Sequence, residues 1–286
     1  MMCMCLSQKD GMNMKKDRYY LTESELKQLQ KCELEMLVEF DRVCRKYNIL
    51  YSIDGGTLLG AVRHGGFIPW DDDADVILTR KEYEKLKRVI FDELDKDRFY
   101  FQDIDITEGY RWGYGKLRRK NTKFVRLNQE HMPYEQGIFM DVFVCDNVPE
   151  NYFLRCICNA VSYGYRKAFW APVGMNIKTG VSRLILTFLN KIPEQKLKEN
   201  FYKYRKHRNK KKSLLVKCLT FQACNRTYGY KREWYEDVED IEFEGVKLKA
   251  PIKKEEYLTF LYGDYMKLPP IEKRKAHPVS QFQINI

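Results

Sequence analysis

The most informative stretch of this sequence lies between Asp54 and Leu78 and reads DGGTLLGAVRHGGFIPWDDDADVIL. It follows a short apolar segment, residues 49–53, which predicts a β-strand. Two glycines after Asp54 permit a tight turn into a helix over residues 58–63, and the glycines and proline of 64–69 predict a loop. The acidic residues then lead into a second strand. The pattern is therefore strand, glycine turn, short helix and acidic strand.

Carboxylates are concentrated where this second strand begins. Side chains alternate between the two faces of a strand, so Asp73 and Asp75 are predicted to point the same way. Asp141 lies in another predicted strand, residues 138–145, where its apolar neighbours face the other side. Carboxylates gathered at one sheet edge repel one another, and a divalent cation, Mg²⁺ or Mn²⁺, relieves this repulsion while it binds substrate phosphates. We therefore predict Asp73, Asp75 and Asp141 as metal ligands and catalytic residues.

A structural interpretation of the same carboxylates stays open for part of the set. The run Asp71–Asp73 taken alone is equally typical of a solvated acidic turn. Asp75 and Asp141 are different, because each interrupts an apolar strand and an unpaired buried carboxylate costs several kcal/mol, on the order of 2–7 for a polar group. The three together favour a functional site.

Groups that can hold phosphate flank these carboxylates. Gly55, Gly56 and Thr57 open a predicted helix, whose free N–H groups bind phosphate while the glycines allow close approach. Cationic side chains are the other class of phosphate ligand. The candidates of this class are Arg63, His64, Lys116, Arg118 and His277. Pairing with aspartates, an exposed basic strand face and structural histidines are the alternative interpretations of these five.

Helices and short strands alternate in the first half of the chain and predict the α/β (α+β) class. Capping boxes are predicted at Thr22 with Glu25, starting a helix that reaches Tyr47, and at Thr79 with Glu82, starting a helix that ends near residue 94. Further predicted elements are strands at 100–103 and 114–118, a helical region over 152–221, a hairpin at 242–248 and a helix at 254–262. The predicted organisation is a disordered leader (1–21), a catalytic core (22–150), a helical lobe (151–235) and a C-terminal return to the active site (236–286).

Composition restricts the cellular setting. Lys and Arg outnumber Asp and Glu by 51 to 40, which favours anionic partners. Nine cysteines without a paired framework indicate a reducing, cytoplasmic environment, and Cys156 and Cys158 lack the further ligands of a tetrahedral metal site. We see neither a secretory signal nor a run of about 20 apolar residues that could cross a bilayer.

The central stretch, Asp54 to Val76, closely resembles the LicD family of phosphotransferases. The resemblance extends to the basic strand with Lys116 and Arg118, to the Asp141 strand and to the ending from Tyr262 to His277, and so covers most of the chain from about residue 51. Residues 152–235 carry almost no motif of their own. Ala74, where a larger aliphatic is more usual, and Gly65, often polar, are small departures that remove no chemical group.

This resemblance implies a nucleotidyltransferase-like fold, with a small mixed sheet flanked by helices, and a metal-dependent transfer. The family implies a nucleotide-activated alcohol such as CDP-choline as donor, release of CMP, and an anionic or lipid-linked glycan acceptor such as teichoic acid or lipopolysaccharide. It also assigns Asp73 and Asp75 as metal ligands and Asp141 as a third ligand or general base. A true nucleotidyltransferase that releases pyrophosphate and a non-catalytic glycan- or membrane-binding subunit are the alternatives.

Two further features bear on partners. The run from Lys203 to Lys212 is strongly basic and is typical of a solvated helix face, with contact to anionic membrane lipid or to a phosphate-rich glycan as the alternative. Nucleic acid is disfavoured, because the run lacks an aromatic stacking platform. We therefore expect a cytoplasmic protein with peripheral contact at the inner face of the membrane. A choline group would require aromatic faces, and the available rings are Trp112, Tyr114, Tyr134, Phe139 and Trp170.

Overall fold

The computed structural model describes residues 19–222 and 227–285, so most of the predicted leader lies outside the described residues. The helices of the described chain are α1 (Glu23–Lys46), α2 (Gly55–His64), α3 (Arg80–Glu93), α4 (Tyr152–Ile177), α5 (Gly180–Asn190), α6 (Glu194–Arg208), α7 (Glu233–Glu236) and α8 (Lys254–Tyr262). The strands are β1 (Ser52–Ile53), β2 (Asp75–Thr79), β3 (Phe99–Gln102), β4 (Gly115–Arg119), β5 (Thr122–Arg126), β6 (Phe139–Asn147), β7 (Leu215–Lys217), β8 (Tyr230–Lys231), β9 (Val238–Phe243), β10 (Val246–Pro251) and β11 (Val279–Ile284).

Strand β6 is the centre of a mixed sheet with the order β1-β2-β6-β4-β3. Strand β2 runs parallel to β6, whereas the other neighbours in this order pair antiparallel. Every residue of β6 is buried except Asp141, which is half-buried. A strand covered on both faces is a nearly continuous apolar run, which is why Asp141 was conspicuous in the sequence. The predicted α/β class, with a small mixed sheet flanked by helices, is confirmed.

The predicted capping box at the start of α1 is confirmed. The Glu25 N–H donates to Thr22 Oγ1 over 3.3 Å, and Glu25 Oε2 accepts from the Thr22 N–H over 2.8 Å. These bonds satisfy helix N-terminal N–H groups that would otherwise lack partners. The helix then buries the predicted apolar stripe against the sheet.

The prediction of a second capping box, at Thr79 and Glu82, is wrong. Helix α3 does begin at Arg80, but the Thr79 side chain makes no capping bond. Glu82 instead accepts the N–H of Leu50 over 3.1 Å, because the loop before β1 packs on this end of the helix.

Helix α2 begins at Gly55, three residues earlier than predicted, and ends at His64. Gly55 enters the helix with φ +51°, a backbone conformation that costs a residue with a Cβ about 1–2 kcal/mol. Gly65, with φ +71°, ends it in the left-handed conformation common after helices. Gly60 is needed for a different reason, since a Cβ there would overlap the carbonyl oxygen of Gly66.

The acidic strand is shorter than predicted, because β2 begins only at Asp75. Asp73 lies in the extended segment before the ladder. The segment is nevertheless tied to β6, since the Asp141 N–H donates to the Ala74 carbonyl oxygen over 2.8 Å.

Strands β5 and β11, which the sequence patterns did not predict, pair antiparallel and carry the C-terminal segment back toward the acidic residues. The predicted hairpin is confirmed as β9 and β10, with positive φ at Glu244 and Gly245 as in a two-residue type I′ turn.

The helical region predicted to reach residue 221 ends at Arg208, because the following residues form β7 and pair with the end of β6. Helices α4 and α6 enclose a second apolar cluster that includes Phe169 and Phe201. The basic run is only partly a solvated face: Arg205 is buried and binds Asp105 over 2.5 Å. Within the described residues, no helix combines the length and the hydrophobicity needed to cross a bilayer.

Candidate active site

The parallel pairing of β2 with β6 brings two of the predicted carboxylates side by side. Asp75 and Asp141 are paired residues in the ladder, and each is half-buried. On the other side of β6, strand β4 places Lys116 opposite Asp141. The Lys116 ammonium forms an ion pair with the Asp141 carboxylate. Residues from three strands therefore meet in one row across the sheet.

The acidic turn before β2 is not solvated, contrary to one interpretation of the sequence. Asp72 is only 1% exposed, and each of its carboxylate oxygens has a partner: Arg126 Nη1 at 2.5 Å and His277 Nδ1 at 2.8 Å. Burial alone would raise the pKa of Asp72, but Arg126 and His277 outweigh it and lower the pKa to about 2. Arg126 also approaches Asp73, with Nη2 3.7 Å from the Asp73 carboxylate.

Asp75 has less compensating charge beside it than Asp72. Burial raises the pKa of Asp71, Asp73 and Asp75, and their mutual repulsion raises it further. Arg126 opposes this effect at Asp71 and Asp73, but the neighbours that act on Asp75 are other carboxylates, among them Asp141. Bringing such carboxylates together is favourable when a hard divalent cation binds between them.

The glycines at the start of α2 allow carboxylates to approach the helix N-terminus. A Cβ on Gly55 would lie 3.3 Å from Asp75 Oδ2, and one on Gly56 would lie 2.5 Å from Asp71 Oδ2. Thr57 Oγ1 accepts the Asp75 N–H over 2.8 Å. The Gly55-Gly56-Thr57 turn therefore fixes the start of β2 against α2, with Asp71 and Asp75 at the positive end of the helix dipole.

A cationic pocket of about 160 Å³ adjoins Asp141. Asp141 is part of its lining, and the cationic residues of the lining are Lys116, Arg118 and Arg126. Burial lowers the pKa of Lys116 to about 8, although Asp141 acts in the opposite direction. Arg118 is held by Gln102 Oε1 at 2.5 Å and by the Gly137 carbonyl at 2.6 Å. We refer to this cavity as the basic pocket.

An aromatic pocket of about 150 Å³ lies beside Asp75. It also contains Asp54, Gly55 and Gly56 from the start of α2. Its aromatic lining is Phe143, Phe221, Tyr230, Tyr235, Tyr257 and Tyr262. Burial raises the pKa of Asp54 to about 6, even though Tyr257 donates a hydrogen bond to it. The pocket thus combines aromatic rings with carboxylates.

Three of the predicted phosphate-binding residues, Arg63, His64 and His277, do not line the basic pocket, and His277 binds Asp72 instead. Arg63 donates to the Tyr265 carbonyl oxygen over 2.9 Å and lines a third cavity, of about 220 Å³, with Trp70 and Tyr262. His64 is exposed, and its Nδ1 lies 3.4 Å from Arg63 Nε. The structure therefore does not bring Arg63 and His64 into the basic pocket with Lys116 and Arg118.

Three residues of this region were missed by sequence reasoning. Arg126 lies on an unpredicted strand, and Asp72 was treated only as part of an acidic run. Glu33 is 1% exposed on α1 with both carboxylate oxygens unpaired among the described residues, and burial followed by repulsion from Asp73 and its neighbours raises its pKa well above the usual value. A glutamate in the apolar stripe of α1, between Leu29 and Met36, was the available signal.

Among the described residues, one group has the geometry of a metal site. Asp72, Asp73 and His277 have ligand atoms within 4.8 Å of one another. Both oxygens of Asp72 already accept bonds from Arg126 and His277, so this group is largely neutralised. Asp75 and Asp141, the other two predicted ligands, are not members of this group. Asp73 belongs to the group and is also among the carboxylates that repel Asp75.

Comparison with known proteins gives a family match. The model of the family described as LicD/FKTN/FKRP, nucleotidyltransferase domain, matches residues 48–172. The lipopolysaccharide cholinephosphotransferase LicD of Haemophilus influenzae is 32% identical over 267 residues, which cover 91% of this chain and 98% of the relative. An uncharacterized protein of Rickettsia prowazekii is 30% identical over 42% of this chain and 41% of its own length. One of Rickettsia typhi is 40% identical over 42% of this chain and 50% of its own length.

Proposed function

Since this chain belongs to the LicD family and is a transferase of phosphorus-containing groups, we propose that it moves phosphocholine, or a similar phospho-alcohol, from a CDP-activated donor to a glycan and releases CMP. The acceptor in this proposal is an anionic or lipid-linked cell-surface glycan such as lipopolysaccharide or teichoic acid. The main support for this proposal is the row of Asp75, Asp141 and Lys116 across three strands. The basic pocket lies at one end of this row and the aromatic pocket at the other.

We propose Asp73, Asp75 and Asp141 as the ligands of Mg²⁺ or Mn²⁺. The support is their chemistry: hard oxygen ligands whose mutual repulsion raises the pKa of Asp73 and Asp75 after the larger effect of burial. A divalent cation bound there would neutralise charge on the transferring phosphoryl group and the leaving phosphate. Arg126 and His277 hold the Asp72 side chain in place. In this proposal, Asp72 in turn positions Asp73, the next residue in the chain.

The basic pocket fits the diphosphate of the donor. Lys116 and Arg118 from β4 and Arg126 from β5 line this pocket together with Asp141. Cationic side chains aimed at developing negative charge stabilise it. In this arrangement Asp141 lies between the phosphates and the other two proposed ligands, Asp73 and Asp75. It can act as a ligand or as the base that accepts the proton of the acceptor hydroxyl.

The aromatic pocket fits the alcohol when that alcohol is choline. A quaternary ammonium binds to aromatic faces, and the charged residues that line the same cavity are Asp54, Asp75 and Lys217. Of the rings considered from sequence, Trp112, Tyr114 and Phe139 line the basic pocket instead. We therefore assign the choline group to the Asp75 side of the row.

Free thiols support the proposed reducing, cytoplasmic setting. Six cysteines among the described residues are free thiols that form no disulfide bond: Cys32, Cys44, Cys145, Cys156, Cys158 and Cys218. Disulfides are rare in reducing compartments.

The first experiment measures donor binding by thermal unfolding with Mg²⁺ and CDP-choline. A donor at 100 times its dissociation constant adds about 2.7 kcal/mol, which corresponds to a shift of roughly 5–10 °C at about 2–4 °C per kcal/mol. We expect Asp75→Asn to lose this shift and Asp97→Asn, an exposed aspartate outside the site, to keep it. A shift that persists in Asp75→Asn would refute the proposed metal site.

Two further measurements separate the alternatives. Tyr262→Leu should weaken binding of CDP-choline more than binding of CDP-glycerol, since only the former carries the quaternary ammonium. Product analysis with a glycan acceptor should give CMP. Pyrophosphate released from a nucleoside triphosphate would instead identify a true nucleotidyltransferase, and no response to any activated alcohol would favour a non-catalytic binding subunit.

A further inference from the structure

Helix α4 exposes an apolar stripe near its N-terminus. Phe153, Leu154, Ile157 and Val161 are spaced so that they share one face of the helix, and they are between 41% and 71% exposed. A surface helix normally turns such a stripe toward the core. Contiguous exposed apolar side chains mark an interaction surface.

Helix α5 has the same character. Val181, Leu184, Ile185 and Phe188 recur at helical spacing and are between 55% and 72% exposed. Leu186 is the buried residue that anchors this helix to the rest of the protein. Helix α5 contains no acidic residue, and Arg183 is its single charged side chain.

Positive charge is concentrated on the same part of the chain. Residues 152–212 contain fifteen Lys and Arg but only two acidic residues, Glu194 and Glu199, which gives a net charge of +13. The whole chain carries +11, so the remaining residues sum to −2. We call residues 152–212 the basic lobe.

An open groove joins the apolar stripe of α4 to the basic run. Leu154, Ile157 and Val161 form one side of this groove of about 730 Å³, and Arg208 with Lys210–Lys212 forms another. The three lysines are exposed. Lys212 approaches Glu236 at 3.5 Å, a contact that is solvent-exposed and therefore weak. Apolar and cationic groups thus face the same open space.

We propose that the basic lobe docks on a bilayer surface rich in anionic lipid. Apolar side chains of a helix enter the boundary between headgroups and acyl chains, while flanking lysines bind lipid phosphates. A second copy of this chain is a poorer partner for this surface, because two basic lobes, each with a net charge of +13, would repel each other. The docking requires neither donor nor metal, so it can be tested independently of the proposed transfer reaction.

Vesicle sedimentation of the full chain tests the proposal without any substrate. Vesicles of phosphatidylcholine with phosphatidylglycerol are compared with vesicles of phosphatidylcholine alone, so that headgroup binding at the choline pocket cancels. Replacing Lys210, Lys211 and Lys212 together by Gln should lower the partition coefficient about 100-fold, at about 1 kcal/mol per lysine. Ile157→Ser and Phe188→Ser should each lower it on the order of tenfold.

The matched control replaces Lys31, Lys81 and Lys123, exposed lysines outside the basic lobe, by Gln. It changes net charge equally and should bind vesicles like the unmodified chain. Equal binding to both vesicle types, or equal loss in the two lysine variants, would overturn the proposal. So would a dimer in light scattering that Phe188→Ser dissociates, because a second copy would then cover the apolar face. Unchanged unfolding temperatures show that each variant is folded.

Discussion

Replacing Arg126 by Met should destabilise the protein through the buried Asp72 carboxylate. Arg126 Nη1 lies 2.5 Å from Asp72, which is 1% exposed. Methionine keeps much of the side-chain volume beside the rings of Phe124 and Phe139, which lie 4.8 and 5.5 Å from the guanidinium carbon. The change therefore removes mainly the charge.

The expected magnitude follows from the partners that Asp72 keeps. Removing one partner of a buried ion pair costs about 3–5 kcal/mol. His277 Nδ1 remains 2.8 Å from the other carboxylate oxygen, so we expect the lower end, about 3 kcal/mol. At roughly 2–4 °C per kcal/mol, the unfolding temperature should fall by about 6–12 °C.

A double-mutant cycle measured by urea unfolding isolates the pair. Asp72→Asn removes the charge that Arg126 compensates, so the double variant should be more stable than the sum of the two single effects by about 2 kcal/mol. Arg98→Met, an exposed arginine paired with Asp95, is the control and should cost less than about 1 kcal/mol. Additive single effects, or a cost at Arg126 no larger than at Arg98, would refute the coupling.

Three further outcomes are expected. Chelation by EDTA should abolish transfer without changing the circular dichroism spectrum, and added Mg²⁺ should restore turnover; activity that survives exhaustive chelation would contradict the metal assignment. Lys116→Gln should lower kcat/KM by on the order of 10²-fold, because Asp141 and the donor phosphates lose a cation; steady-state kinetics measure this, and an unchanged value would remove Lys116 from the site. Gly60→Ala should destabilise by about 1–3 kcal/mol through overlap with the Gly66 carbonyl, whereas Gly164→Ala, which has open space around it, should not; equal unfolding temperatures would exclude that contact.

The sequence alone determined the local elements and the central carboxylates. Residue alternation along β6 predicted the orientation of Asp141, and the capping box predicted the start of α1, because both depend on neighbours within a few residues. The resemblance in the glycine-rich and acidic stretch predicted the family, which the comparison with known proteins confirms. The assignment of Asp73, Asp75 and Asp141 as ligands stays a prediction.

Tertiary structure decided which side chains meet across long stretches of chain. Asp72 binds Arg126 and His277, which are 54 and 205 residues away, whereas Arg63 binds the Tyr265 carbonyl instead of joining the basic pocket. Residue periodicity shows which face of an element is buried, but partners depend on strand order and on how β11 returns to β5. For that reason the carboxylates could be found in the sequence, while their counter-charges and the two pockets beside them could not.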